Sequence, residues 1–272
     1  MAKNKKVKAV RTKKKRTTKT AKARIVSKTI PEPTPHWNIR VSRFNPQMDF
    51  VPRTHEYKAI PHEGESVLDL LTRLKHTQDG SLTFRGSCGY GGCGSCGVTV
   101  NGKPVLGCVT QVTDVLDANN NLRVDPLNKE NVIKDLVCDE SIFFKELLKV
   151  KPWLVTRKGE ERRNHKMGIN DVSAMKDAPQ CILCGICNAH TESSKLGELG
   201  PAAFVKAYRY TFDSRDGDSS RILALASSLP VHYSLEKANL CPRNIFPGDK
   251  ISEMRDIQKA KKAKENSRKR SP

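Results

Sequence analysis

Eight of the nine cysteines stand at spacings that suit metal and electron chemistry. Cys88, Cys93, Cys96 and Cys108 follow C-x4-C-x2-C-x11-C, the plant-type spacing for a [2Fe–2S] centre. Six glycines fall within residues 85–97. A tight loop around inorganic sulfide needs backbone at positive φ and amide N–H groups brought close to a negative cluster, and side chains obstruct both. Four thiolates also suit zinc, but structural zinc usually takes its cysteines as two close pairs. Here three sit in one Gly-rich loop and the fourth follows a hairpin.

The second group begins at CILCGICNAHTE, residues 181–192. The bacterial ferredoxin run has three cysteines at two-residue intervals, then three residues, then Cys-Pro, whose cysteine serves the other cluster. Here that position holds Thr191 and Glu192, while Cys241-Pro242 lies far downstream. Cys181, Cys184, Cys187 and Cys241 therefore suffice for one [4Fe–4S] cluster. Cys138 belongs to neither group. It falls in NVIKDLVCDESIFFKELL, whose periodicity predicts one long helix, and a free cysteine there is a small buried hydrophobe.

The elements around the first group are predicted from local signals. WNIRVSRFN alternates as a half-buried strand, and SVLDLLTRLKH repeats Val67, Leu70, Leu71 and Leu74 behind a Ser66-x-x-Asp69 capping box. GVTV-NG-KPVL reads as a hairpin turning at Asn101-Gly102 and returning the chain to Cys108. Strand, helix, cysteine loop and hairpin in that order suit a β-grasp domain. Beyond it, LGPAAFVKAYRYTFDSRD reads as a helix with a stripe at Phe204, Ala207, Tyr208 and Thr211.

Charge is concentrated at the ends. Residues 1–31 carry 13 Lys or Arg and no acid, and residues 255–270 carry 8 against two acids, so the ends hold 19 of the net +20 charges. Such blocks are expected to be disordered and to touch anionic lipid or nucleic acid, or nothing specific, and an organellar transit peptide is a third reading of the first one. Residues 32–254 are nearly neutral, so specific nucleic-acid binding is not expected. With no long apolar stretch and no apolar region after the basic start, neither a membrane span nor a secretory signal is expected.

On RFNP, SLTFRGSCGYGGCGSCGVTVNGKPVLGC, PLNKENVIKDLV, QCILCGIC, LGPAAFVKAYRYTFDSRD and CPRNIFPGDKI, residues 36–257 resemble the iron–sulfur subunit of succinate dehydrogenase and fumarate reductase. The resemblance implies an α+β chain: a basic tail at 1–35, a β-grasp [2Fe–2S] domain at 36–130, an all-helical ferredoxin-like domain at 131–257 and a basic tail at 258–272. It implies electron transfer between a partner flavoprotein that carries FAD and a quinone or other membrane-side acceptor. One or more membrane-anchor subunits, and a peripheral place on the cytoplasmic face, or the matrix face if the start is a transit peptide, belong to the same expectation. No G-x-G-x-x-G follows a strand, so FAD is expected on the partner only.

The family's third cluster, [3Fe–4S], takes three cysteines at positions that here hold Thr191, Val231 and Lys237. His190 and His232 lie nearby but cannot replace three thiolates, so that cluster is expected to be absent. The family's aromatics near quinone are also missing, since the two tryptophans are Trp37 and Trp153. The same modules occur in soluble flavoprotein oxidoreductases such as thiol-linked fumarate reductases, which is the alternative reading. A basic zinc or nucleic-acid module is a further one.

Overall fold

The computed structural model describes residues 36–156, 166–191, 199–218 and 235–270. The basic segment 1–35, Val231 and His232 lie outside the described residues. A sheet comes first along the chain and helices follow.

Strand β1 (Trp37–Arg43) buries Trp37, Ile39, Val41 and Arg43 while Asn38 and Arg40 face water, the period of a strand with one covered face. Strand β2 (Arg53–Ala59) pairs antiparallel on one side of it, and β5 (Asn121–Pro126) pairs parallel on the other, so Ile39 lies between Tyr57 and Leu122. Strands β3 (Gly97–Val100) and β4 (Lys103–Leu106) complete the order β2-β1-β5-β3-β4. Their turn puts Asn101 at φ 47° and Gly102 at φ 83°, the paired left-handed residues of a two-residue hairpin. Helix α1 (Val67–Thr77) buries Val67, Leu70, Leu71 and Leu74 in the same core. Its capping box is complete: Asp69 N–H donates to Ser66 Oγ at 3.2 Å and Ser66 N–H donates to Asp69 Oδ2 at 3.2 Å. A one-turn helix, α2 (Val112–Val115), leads into β5.

Residues 131–148 depart from the single helix that their periodicity predicts. They form β6 (Val132–Lys134), β7 (Val137–Cys138) and only then α3 (Ser141–Lys149). Val132, Ile133 and Val137 favour strand, and Asp135 sits at φ 48°, which a helix cannot accommodate. Tertiary contacts fix that turn. Asp135 takes Arg43 Nε–H at 2.9 Å, the Phe44 amide at 3.1 Å and the Thr83 amide at 2.9 Å. Arg43 also donates to Tyr57 Oη at 2.6 Å, to Ser81 Oγ at 2.8 Å and to Asp79. Leu136 packs in the first core as a result.

The helices that follow are α4 (Ile169–Ala174), a 3-10 turn at Ala178–Gln180, α5 (Ile186–Thr191), α6 (Pro201–Thr211), α7 (Leu235–Ala238) and α8 (Pro247–Arg270). A second core centres on α6, where Phe204, Ala207 and Tyr208 meet Leu147, Ile245, Ile251 and Met254. The residues read as a basic tail from 258 continue α8 as far as Arg270. No Gly or Pro falls between Gly248 and Arg270, and the Lys, Ala, Gln, Glu and Arg there are strong helix formers. None of the described helices is long and apolar enough to cross a membrane.

Candidate iron–sulfur centres

The loop between α1 and β3 carries Cys88, Cys93 and Cys96, and β4 delivers Cys108. Gly89, Gly91 and Gly94 all lie at φ of 76° or 77°, so the backbone curls and turns its amides inward. Gly91 N–H donates to Cys108 Sγ at 3.2 Å, and Cys88 Sγ accepts from the amides of Gly92 at 3.2 Å and Cys93 at 3.3 Å. These amides do what the glycine-rich sequence predicts: they direct positive dipole ends at sulfur. Ser95 is a participant that the motif alone does not reveal. Its Oγ lies 3.1 Å from Cys93 Sγ, and with the neighbouring amides it draws this exposed thiol down to about 6. Burial instead pushes Cys96 up to about 12.

The second group converges although its members are far apart in sequence. Cys181, Cys184, Cys187 and Cys241 line one small cleft, otherwise walled by residues such as Ala202, Val205, Leu240 and Ile245. Cys181 follows the 3-10 turn, Cys187 opens α5, and Cys241 sits between α7 and α8. Leu183 at φ 56° and Gly185 at φ 74° coil the triplet so that its thiols share a side. Burial raises Cys181, raises Cys184 to about 11 and holds Cys187 well above the usual thiol value; next in weight at Cys187 come the charges of Cys184, Cys181 and Cys241. Lys206 Nζ donates to the Cys181 carbonyl at 3.0 Å and offsets part of this at Cys181. The Arg243 amide donates to Cys241 Sγ at 3.4 Å.

The donor set fits iron–sulfur clusters. Each group supplies four thiols with amides directed at sulfur, and the second encloses a shared apolar cleft rather than a point. Among the described residues, no three His, Cys, Asp or Glu side chains close together as ligands of a single ion do.

The remaining candidates are placed differently. Cys138 lies on β7 and not in a helix; its Sγ donates to the Asn128 carbonyl at 3.2 Å and accepts from the Asn128 amide at 3.4 Å. Thr191 is buried at the end of α5, and its hydroxyl is taken by the carbonyls of Cys187 at 3.0 Å and Asn188 at 3.2 Å. Lys237 is exposed on α7. His190 is half-buried and borders a groove that also reaches Ser95 and Cys184. Asn188 is another residue that sequence reasoning missed. Its Oδ1 accepts the Ala202 amide at 3.1 Å, which caps α6 from a neighbouring helix and ties it to the cysteine triplet.

The two cysteine groups adjoin. Cys96, Leu106, Cys108 and Ile186 form one buried cluster, with Leu127, Ile182, Cys184 and Leu240 against it.

A family described as "2Fe-2S iron-sulfur cluster binding domain" matches residues 38–145. The fumarate reductase iron-sulfur subunit of Mycobacterium tuberculosis is 36% identical over 221 residues, which cover 78% of this chain and 89% of that protein. The mitochondrial succinate dehydrogenase [ubiquinone] iron-sulfur subunit of Dictyostelium discoideum is 31% identical, covering 80% of this chain and 81% of that one. Among solved structures, a chain of the Mycobacterium smegmatis Sdh1 complex in the apo form aligns with a TM-score of 0.71 and 25% identity, over 83% of this chain and 96% of that chain. At 36% and 31% identity over most of both chains, the chain belongs to the family of iron–sulfur subunits of succinate dehydrogenases and fumarate reductases.

Proposed function

We propose that the chain is the electron-transfer subunit of a succinate dehydrogenase or fumarate reductase complex, with a [2Fe–2S] cluster on Cys88, Cys93, Cys96 and Cys108 and a [4Fe–4S] cluster on Cys181, Cys184, Cys187 and Cys241. The observation that carries this reading is the cleft lined by those last four cysteines, adjoining the first cysteine loop. Two modules hold the two sites: a β-grasp part, with Leu136 of the β6–β7 hairpin in its core, and a helical ferredoxin-like part built around α6.

When bound, each cluster takes up and returns one electron at a time. The chain's own contribution is to hold the thiols, direct amides at their sulfurs and keep water out of the cleft at Cys187. Those hydrogen bonds and that burial set the potentials. FAD and the succinate chemistry belong to a partner flavoprotein.

The far end of the path is rebuilt in this reading. With Thr191 bonded within its own helix and Lys237 exposed, we propose that no [3Fe–4S] cluster forms, so the [4Fe–4S] site gives electrons to quinone held by a membrane-anchor subunit or to another redox partner. A peripheral place on the cytoplasmic face of the membrane goes with the first acceptor, and the basic ends would help by contacting anionic lipid. Deleting residues 1–31 should then weaken membrane association at low salt; unchanged association removes that role.

Co-purification with a large flavoprotein, followed by assay with succinate and an artificial acceptor, tests the function. Succinate-dependent reduction of both clusters is the expected result. A complex that reduces fumarate from a thiol donor and ignores succinate would instead establish the soluble alternative, which the non-thiol residues at 191 and 237 favour.

A further inference from the structure

Gly94 of the first cysteine loop lies directly against the second loop. A Cβ at Gly94 would lie 3.0 Å from both Cα and Cβ of Cys184 and 3.1 Å from the Ile182 carbonyl oxygen. Two of those three neighbours are backbone atoms of the triplet, so the neighbours cannot rotate away. Gly94 stands between Cys93 and Cys96, and Cys184 is itself a ligand in the proposed second site. The contact therefore joins the two cysteine loops, and Cys184 and Ile182 also pack against the buried cluster of Cys96, Leu106, Cys108 and Ile186.

We infer that Gly94 is a positioning residue, whose missing side chain lets the two cluster loops meet and so sets the rate at which an electron crosses between them. This inference rests on the proposed function above. The step moves one electron: the donor cluster is oxidised by one, the acceptor cluster is reduced by one, and no bond to the protein forms or breaks. A close-packed contact of this kind must open slightly between the two loops to admit an added methyl group. At φ 77° Gly94 also needs glycine for its own backbone, and the two requirements must be separated.

Gly89 supplies the comparison. It lies in the same loop at φ 76°, yet a Cβ there would meet nothing within 4 Å. Gly89→Ala thus reports the strain alone, whereas Gly94→Ala adds the collision with Cys184. The experiment uses the full chain, purified anaerobically, with iron content measured for each variant. Its readout is the power saturation of the EPR signal of the reduced [2Fe–2S] cluster while the [4Fe–4S] cluster is also reduced, which reports their separation.

Gly94→Ala is expected to keep the iron of both clusters and to saturate at measurably lower power than Gly89→Ala, because the coupling has weakened. Equal saturation in the two loaded variants overturns the inference. If Gly94→Ala fails to load, Gly97→Val decides. Gly97 is not at positive φ, and a Cβ there already lies 3.0 Å from Leu127 Cδ2 and 3.5 Å from the Cys184 carbonyl oxygen, so a valine wedges the same contact. Unaltered coupling in loaded Gly97→Val overturns the inference as well. A parent chain with no cluster signal sinks the proposed function, an outcome distinct from these.

Discussion

Arg43 is 5% exposed and Asp135 2%, and each is the other's charge partner at 2.9 Å. Removing one member of such a pair leaves the other charge buried, so Arg43→Leu should cost about 3–5 kcal/mol in chemical denaturation. Arg40→Ala breaks only the exposed pair with Glu56 and should cost at most about 1 kcal/mol by the same measurement. The Ser81 hydroxyl, then Arg43 and Tyr57, hold the Asp79 carboxyl well below the usual carboxylate range. A depressed carboxylate contributes stability above its unfolded value of about 4, and that contribution fades as pH falls further. Asp79→Asn should therefore narrow the loss of stability between about pH 6 and about pH 3. Among the cysteines, Cys241→Ser should remove the [4Fe–4S] signal and leave the [2Fe–2S] signal, whereas Cys138→Ala, whose thiol bonds to the backbone of Asn128, should leave iron content unchanged.

Whole elements were legible where the signal is local. The Ser66 capping box, the Asn101-Gly102 turn, the alternation of β1 and the α6 stripe each depend on residues a few positions apart, and each forms as read. Ser66→Ala should accordingly destabilise α1 by about 1 kcal/mol, seen as a lower melting temperature. What was not legible depends on distant partners. The run 131–148 shows a helical period, but Arg43 and Thr83 capture Asp135 and turn the chain into a hairpin. β2 leaves its first four residues exposed, so its sequence carries little alternation, and it forms by pairing with β1. At α8, charge repulsion suggested disorder while composition favours helix. The inner half of α8 is fixed by Ile251, Met254 and the 2.7 Å pair of Lys250 with Asp177. Truncation after Ala260 should thus lower the helical circular dichroism signal and barely move the melting temperature, because packing rather than propensity carries most helix stability.

At the scale of the molecule, both cysteine groups could be named from spacing, yet their adjacency could not. Cys241 reaches the triplet only through the turn between α7 and α8, and Gly94 meets Cys184 only because two separate cores pack side by side. In the proposed function these contacts let electrons cross two adjoining sites, and the positions proposed to have lost the family's third site hold a helix-bonded threonine and an exposed lysine. Iron and acid-labile sulfide per chain, with EPR on the anaerobically purified protein, test that claim most directly. About six irons and six sulfides, with [2Fe–2S] and [4Fe–4S] signals alone, are the predicted result. About nine irons with a [3Fe–4S] signal would contradict it.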